Sequence, residues 1–177
     1  AKAIQEVNAN YTDGVNGYQV EIANFASDIL AHGEFPGYGA EPVIRHGEAV
    51  GIRQTAGRDL YREAAKICKG WQTDGFDTIA VICRDQKQAQ ETAELLQKEL
   101  PVMPWDPEKA SFEKGIMVFP VEYTKGLEFD AVLLLSPDRE SYPIDDGHAK
   151  LLYVAATRAL HRLEVMHTGN LTGLIAD

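Results

Sequence analysis

Two stretches of the chain concentrate side chains able to do chemistry. The first is Val118-Phe119-Pro120-Val121-Glu122-Tyr123-Thr124-Lys125-Gly126-Leu127-Glu128-Phe129-Asp130, lying between two strand-like runs. Gly126 permits a tight turn, and Lys125 and Glu128 would present an ammonium and a carboxylate to a ligand from a rigid mount. By spacing alone the same residues also describe a solvated turn with a surface lysine. The second stretch runs from Lys150 to Arg162 and reads as a helix apolar nearly all round, hence buried against a sheet. Arg158 is its exception. A guanidinium in such a place must meet a carboxylate, a carbonyl or an anionic ligand, because an unpaired buried charge is too costly.

Other reactive chemistries find no support. None of the 15 glycines is followed by lysine, so the phosphate-cradling G-x-x-x-x-G-K-[ST] loop is missing. G-x-G-x-x-G, G-x-S-x-G and H-E-x-x-H are missing too, and no nucleophile with an adjacent base is assignable. A self-contained hydrolase is therefore disfavoured. His161 and His167 read as a helix-end and a strand-end residue, since no acidic or sulfur partner sits at ligand spacing, and no metal site is expected. Cys68 and Cys83 lie in apolar segments without a C-x-x-C pair and read as buried thiols.

The elements that would position these residues follow from periodicity. Ile22, Phe25, Ala26, Ile29 and Leu30 mark a helix that ends near Leu30, and Leu60, Ala64, Ile67, Cys68 and Trp71 mark a second between Thr55 and Gly70. Residues 78–83, 116–119 and 131–135 read as buried strands. Asp85 with Gln88 resembles a capping box that opens a third helix, whose inner face is Ala89, Ala93, Leu96 and Leu100. The Asp145-Asp146 pair offers a cap for a fourth helix reaching about Leu160, followed by a strand over 162–167 and a short terminal helix. Strands apolar on both faces that alternate with helices predict an α/β fold with a mainly parallel sheet covered on both sides.

Length and composition agree with one domain spanning 1–177: 177 residues, 45% hydrophobic and 25% charged, describe an ordinary globular core. With 17 basic against 27 acidic side chains the net charge is −10, which argues against strong nucleic-acid binding by this chain alone. No signal segment opens it, and no apolar run approaches the ~20 residues of a membrane helix, so no membrane partner and a cytoplasmic setting are expected. The start at Ala1, without methionine, marks it as a candidate fragment of a longer protein.

Thr124-Lys125-Gly126-Leu127-Glu128-Phe129-Asp130-Ala131-Val132 and Leu151-Leu152-Tyr153-Val154-Ala155-Ala156-Thr157-Arg158-Ala159-Leu160 resemble motifs V and VI of the UvrD/Rep-like superfamily 1 helicases, here within 118–132 and 150–162. Residues 79–84, followed by Gln88-Ala89 and Leu95-Leu96, resemble the family's unit between motifs IV and V. Val118-Phe119-Pro120-Val121 and the short interval without an inserted domain look like the HelD (helicase IV-like) branch. The resemblance implies a three-layer RecA-like, P-loop NTPase-like domain without its own P-loop, the C-terminal half of an ATP-dependent DNA helicase or translocase. In such a pair ATP with Mg²⁺ is held mainly by the N-terminal P-loop domain. Glu128 would contact the nucleotide sugar, with Lys125 and Gly126 beside it, and Arg158 would reach the γ-phosphate as an arginine finger. Tyr123 and Thr124 would approach single-stranded DNA, and the intact protein would act on single-stranded or duplex DNA.

Two departures stand out. Asn10-Tyr11 is followed by Thr12-Asp13 where the family has Arg-Ser, and Glu122 occupies the place of the motif V histidine. The missing arginine and the net charge of −10 favour an alternative of another class, a non-catalytic helicase-derived binding module such as a HelD-like factor attached to RNA polymerase, and a negative Glu122 would repel a DNA backbone.

Overall fold

The structure, a computed structural model, describes residues 20–33, 49–106 and 114–175. Its elements in chain order are α1 (Val20–His32), β1 (Gly51–Gln54), a 3₁₀ turn (Gly57–Asp59), α2 (Leu60–Thr73), β2 (Thr78–Cys83), α3 (Gln86–Leu96), β3 (Met103–Pro104), β4 (Gly115–Pro120), a second 3₁₀ turn (Val121–Tyr123), β5 (Phe129–Leu135), α4 (Asp146–Ala156) and β6 (Ala159–His167). The six strands form one sheet in the order β1-β6-β5-β2-β4-β3, and every pairing is parallel.

The period of two in the central strands builds the layers. Ala80 and Ile82 of β2, Met117 and Phe119 of β4, and Val132 and Leu134 of β5 pack with α1 and α4. Their alternates, Ile79, Val81, Ile116, Val118, Ala131 and Leu133, pack with α2 and α3. Both faces of the sheet are thus covered, which is why these strands read as continuous apolar runs.

Several boundaries differ from the sequence expectation. The helix expected over Thr55 to Gly70 begins only at Leu60, because the Thr55 amide extends the β1–β6 ladder by donating to the His167 carbonyl at 2.9 Å. It then runs through Gly70 to Thr73. The fourth helix stops at Ala156 instead of about Leu160, so Arg158 lies in the turn into β6 and His161 lies on that strand. Side chains end this helix. The Thr157 hydroxyl donates to the carbonyls of Tyr153 (2.9 Å) and Val154 (3.1 Å), and Arg158 Nε donates to the latter at 3.0 Å, which satisfies acceptors that another turn would have used. Nor is α4 buried all round: Ala149, Leu152, Ala155 and Ala156 face the core, while Leu151, Tyr153 and Val154 are half-buried.

In place of the expected terminal helix, Leu171 bridges Asp138 in antiparallel fashion and a turn buries Leu174 and Ile175. Asp85 and Asp145 cap α3 and α4 as expected, accepting from the amides of Gln88 and His148 at 2.8 Å. Among the described residues no helix is long and apolar enough to cross a membrane, and no group of His, Cys, Asp or Glu stands close enough to hold a metal ion.

Cys68 and Cys83 are fully buried, and burial pushes both thiols up to about 12. At pH 8 almost no thiolate exists in the folded chain, and the thiolate is the reactive form. A disulfide-exchange reagent at that pH is therefore expected to leave both untouched in the native protein and to titrate both once denaturant is added.

Candidate functional site

Parallel pairing places the starts of β5 and β6 side by side. Phe129 is the register partner of Ala159, and the Phe129 amide donates to the Arg158 carbonyl at 2.9 Å. Glu128 and Arg158, each one residue before its strand, therefore both lie at the N-terminal edge of the sheet. This is the arrangement expected if both serve one ligand.

Arg158 is half-buried and is held by oxygens with no carboxylate partner among the described residues. Nε donates to Val154 O, Nη1 to Leu127 O at 3.1 Å, and Nη2 to Thr157 Oγ1 at 3.3 Å. A guanidinium has five N–H groups in a fixed fork, so two remain for an incoming anion while the other three fix its plane. The Tyr153 phenol stands close by: burial raises its pKa and the Arg158 charge partly offsets this. Lys125 and Glu128 are exposed, and neither has a hydrogen-bond or ion-pair partner among the described residues.

The mount of Glu128 is rigid. Asp130 Oδ2 accepts from the amides of Asp77 (3.0 Å) and Thr78 (3.1 Å), and Thr78 Oγ1 accepts from the Asp130 amide at 2.9 Å. This two-way clamp ties the start of β5 to the start of β2. Opposite it the β5–β6 register shifts between Phe129 and Ala131, a bulge that brings His161 Nε2 to 3.9 Å from Asp130 Oδ1. Asp130 is thus a positioning group that the sequence reading did not single out.

The loop of 121–128 does not keep its residues together. It leaves the C-terminal end of β4 and crosses the full depth of the sheet to the N-terminal end of β5. Tyr123 stays at the far, C-terminal edge, where Gln86 Nε2 donates to its hydroxyl at 3.1 Å and the Trp105 ring lies 4.4 Å away, centroid to centroid. Tyr123 is exposed, as a nucleic-acid contact requires. Thr124 is not: it is fully buried, and its hydroxyl donates to Val121 O at 2.7 Å, so the expectation of a DNA contact there is corrected. The Asn10-Tyr11-Thr12-Asp13 segment lies outside the described residues.

Gly126 carries a φ of +79°, and a Cβ added there would meet nothing within 4 Å. The need for glycine is therefore conformational and not steric. Gly126→Ala is expected to destabilise by about 1–2 kcal/mol, and Gly126→Asn by less, since asparagine tolerates left-handed backbone. Urea unfolding curves of the two variants check the order.

Arg84, also unremarked in the sequence, anchors the opposite edge. Its Nε donates to Ser141 O at 2.9 Å, Nη2 lies 3.4 Å from His148 Nε2, and the guanidinium stands 5.6 Å from the Tyr142 ring centroid. His148 Nδ1 is 2.8 Å from Asp145, whose carboxyl is held below its usual range by hydrogen bonds from the His148 amide and ring. α4 therefore runs from the Arg84 cluster at one edge to Arg158 at the other.

Residues 115–166, which span β4, the crossing loop, β5, α4 and most of β6, match the UvrD-like helicase C-terminal domain. The fold is similar to the crystal structure of the C-terminal domain of a possible DNA helicase from Lactobacillus plantarum WCFS1, with a TM-score of 0.73 and 23% identity over 90% of this chain and 92% of that one. No curated protein matches the chain.

Proposed function

We propose that this chain, whose residues 115–166 match the UvrD-like helicase C-terminal domain, is the half of an ATP-dependent DNA helicase or translocase that completes a nucleotide site built on a separate P-loop domain. The observation that carries the proposal is the Arg158 guanidinium, fixed by three hydrogen bonds at the open N-terminal edge with two N–H groups left over and Glu128 on the same edge. The residues present fit a nucleoside triphosphate approaching from a partner. Arg158 offers a planar, permanently charged donor to an outer phosphate, and Glu128 offers an acceptor to a sugar hydroxyl.

ATP with Mg²⁺ supplies the phosphoryl group whose transfer drives such engines. Arg158 stabilises the charge that develops on that group, and its three structural bonds mean that little reorganisation accompanies the task. Glu128 orients the sugar from its clamped strand start. Lys125 and Gly126 shape the turn that delivers Glu128 to the edge. The phosphate cradle and the metal-binding acids belong to the partner. Tyr123, at the opposite edge, is the side chain of the crossing loop best placed to meet single-stranded DNA.

The chain by itself is accordingly expected to hydrolyse no ATP above background in a steady-state assay. Robust turnover that survives further purification would overturn the half-site reading. A second reading, a non-catalytic helicase-derived module of the kind attached to RNA polymerase, is favoured by exposed Glu122, whose charge repels a DNA backbone.

A further inference from the structure

The acceptors that hold the Arg158 guanidinium among the described residues differ in kind. Val154 O and Leu127 O are backbone atoms, which any sequence with this fold supplies. Thr157 Oγ1 is a side-chain atom, 3.3 Å from Nη2, and it belongs to the residue that ends α4. Thr157 is 3% exposed. Its hydroxyl has one proton, which the carbonyls of Tyr153 and Val154 share at 2.9 and 3.1 Å. With that proton committed to the helix end, the oxygen serves the arginine only as an acceptor.

This bond has a task that the other two cannot perform. Nε and Nη1 are two points, and a plate pinned at two points still turns about the line through them. Nη2 lies off that line, so Thr157 supplies the third point that fixes the plane. Counting N–H groups locates what is left over: one of the two on Nη1 and one of the two on Nη2. Such a pair can engage two oxygens of one phosphoryl group side by side, provided the plane is correct. At 3.3 Å the Thr157 bond is the longest of the three, so its loss turns the plate without releasing it.

We propose that Thr157 is a positioning residue for the Arg158 finger. Its hydroxyl, aligned by the last turn of α4, sets the guanidinium plane in which the two remaining N–H groups meet one phosphoryl group. The inference rests on the nucleotide reading of Arg158 above. The same hydroxyl helps to end α4, but both carbonyls keep a partner without it: Tyr153 O accepts from the Thr157 amide at 3.0 Å, and Val154 O accepts from Arg158 Nε. Removing the hydroxyl should therefore fall on the finger and leave the fold in place.

The first readout needs neither ATP nor a partner domain. Rotation of the Arg158 guanidinium about its Nε–Cζ bond, which exchanges Nη1 with Nη2, is followed by nitrogen NMR on this chain, with Arg158→Ala identifying the signals. Thr157→Val should speed the rotation several-fold, and Thr157→Ser, which keeps the hydroxyl, should leave it near that of the parent. The second readout is turnover by the protein that carries both halves. There Thr157→Val should lower kcat roughly tenfold, with affinity for a non-hydrolysable ATP analogue within about threefold of the parent, and Thr157→Ser should recover most of the rate. Thr157→Ala carries the same expectation and asks no methyl group to fit beside the guanidinium. Adding Thr157→Val to Arg158→Ala should cost nothing further. Unchanged rotation, or unchanged turnover while Arg158→Ala still loses its rate, would overturn the positioning role and leave the finger standing. A further loss on top of Arg158→Ala, or an equal loss of kcat and analogue affinity that serine does not rescue, would also overturn it. Full turnover by Arg158→Ala would overturn the nucleotide reading and this inference with it.

Discussion

Arg158→Ala is expected to lower ATP hydrolysis by the protein that carries both halves roughly 10³-fold or more, with a much smaller change in ATP affinity. An arginine finger acts chiefly on charge that appears in the transition state, so its loss falls on the rate and not on ground-state binding. Arg158→Lys should not restore the rate. An ammonium has no planar fork, and it cannot hold Val154 O and Leu127 O while also reaching outward. Removing the guanidinium also leaves the Leu127 carbonyl short of a partner, a cost of about 1 kcal/mol that a thermal unfolding curve separates from the catalytic loss. Equal turnover by variant and parent would return Arg158 to a structural part, the fastener between α4 and the start of β5.

Phe129→Ala is expected to have the largest effect on stability of any change in the crossing loop and β5. Phe129 is 1% exposed, its ring lies 5.3 Å from that of Phe119, and its amide joins β5 to the Arg158 carbonyl. Truncating a core phenylalanine costs about 3–5 kcal/mol through lost burial and the cavity left behind. That is a large part of the ~5–15 kcal/mol of a typical domain. Glu128→Ala, one residue away but solvent-exposed, should change stability by no more than about 0.5 kcal/mol. Urea midpoints of the two variants measure the contrast. A loss below about 1 kcal/mol for Phe129→Ala would contradict its placement between the sheet and the α1–α4 layer.

These adjacent residues also illustrate what the sequence discloses. β2, β4 and β5 are legible because both faces are buried, which makes each a continuous apolar run. β1 and β3 are not, because they lie at the sheet's two edges: Ile52, Arg53 and Gln54 are all exposed, and β3 is two residues long with a proline. The end of α4 escaped periodicity because hydrogen bonds from Thr157 and Arg158 to nearby carbonyls stop it while the apolar pattern continues into β6.

The shared edge of Glu128 and Arg158 followed from element order alone, since parallel strands must start at one edge. Asp130 and Arg84 were invisible for a different reason. Their partners, Thr78 and Ser141, lie 52 and 57 residues away, beyond the reach of any local pattern. Tyr123 and Thr124 are neighbours in sequence with opposite fates. The short turn after β4 exposes the first and commits the hydroxyl of the second to its own backbone.

The central claim is that Arg158 completes a nucleotide site by stabilising developing charge. It is tested most directly by comparing how the protein carrying both halves binds ADP with aluminium fluoride, a mimic of the transferring phosphoryl group, and a non-hydrolysable ATP analogue. Arg158→Ala should weaken the first by roughly 10²-fold or more and the second by only a few-fold. An equal loss for both ligands, or none for either, would contradict the account.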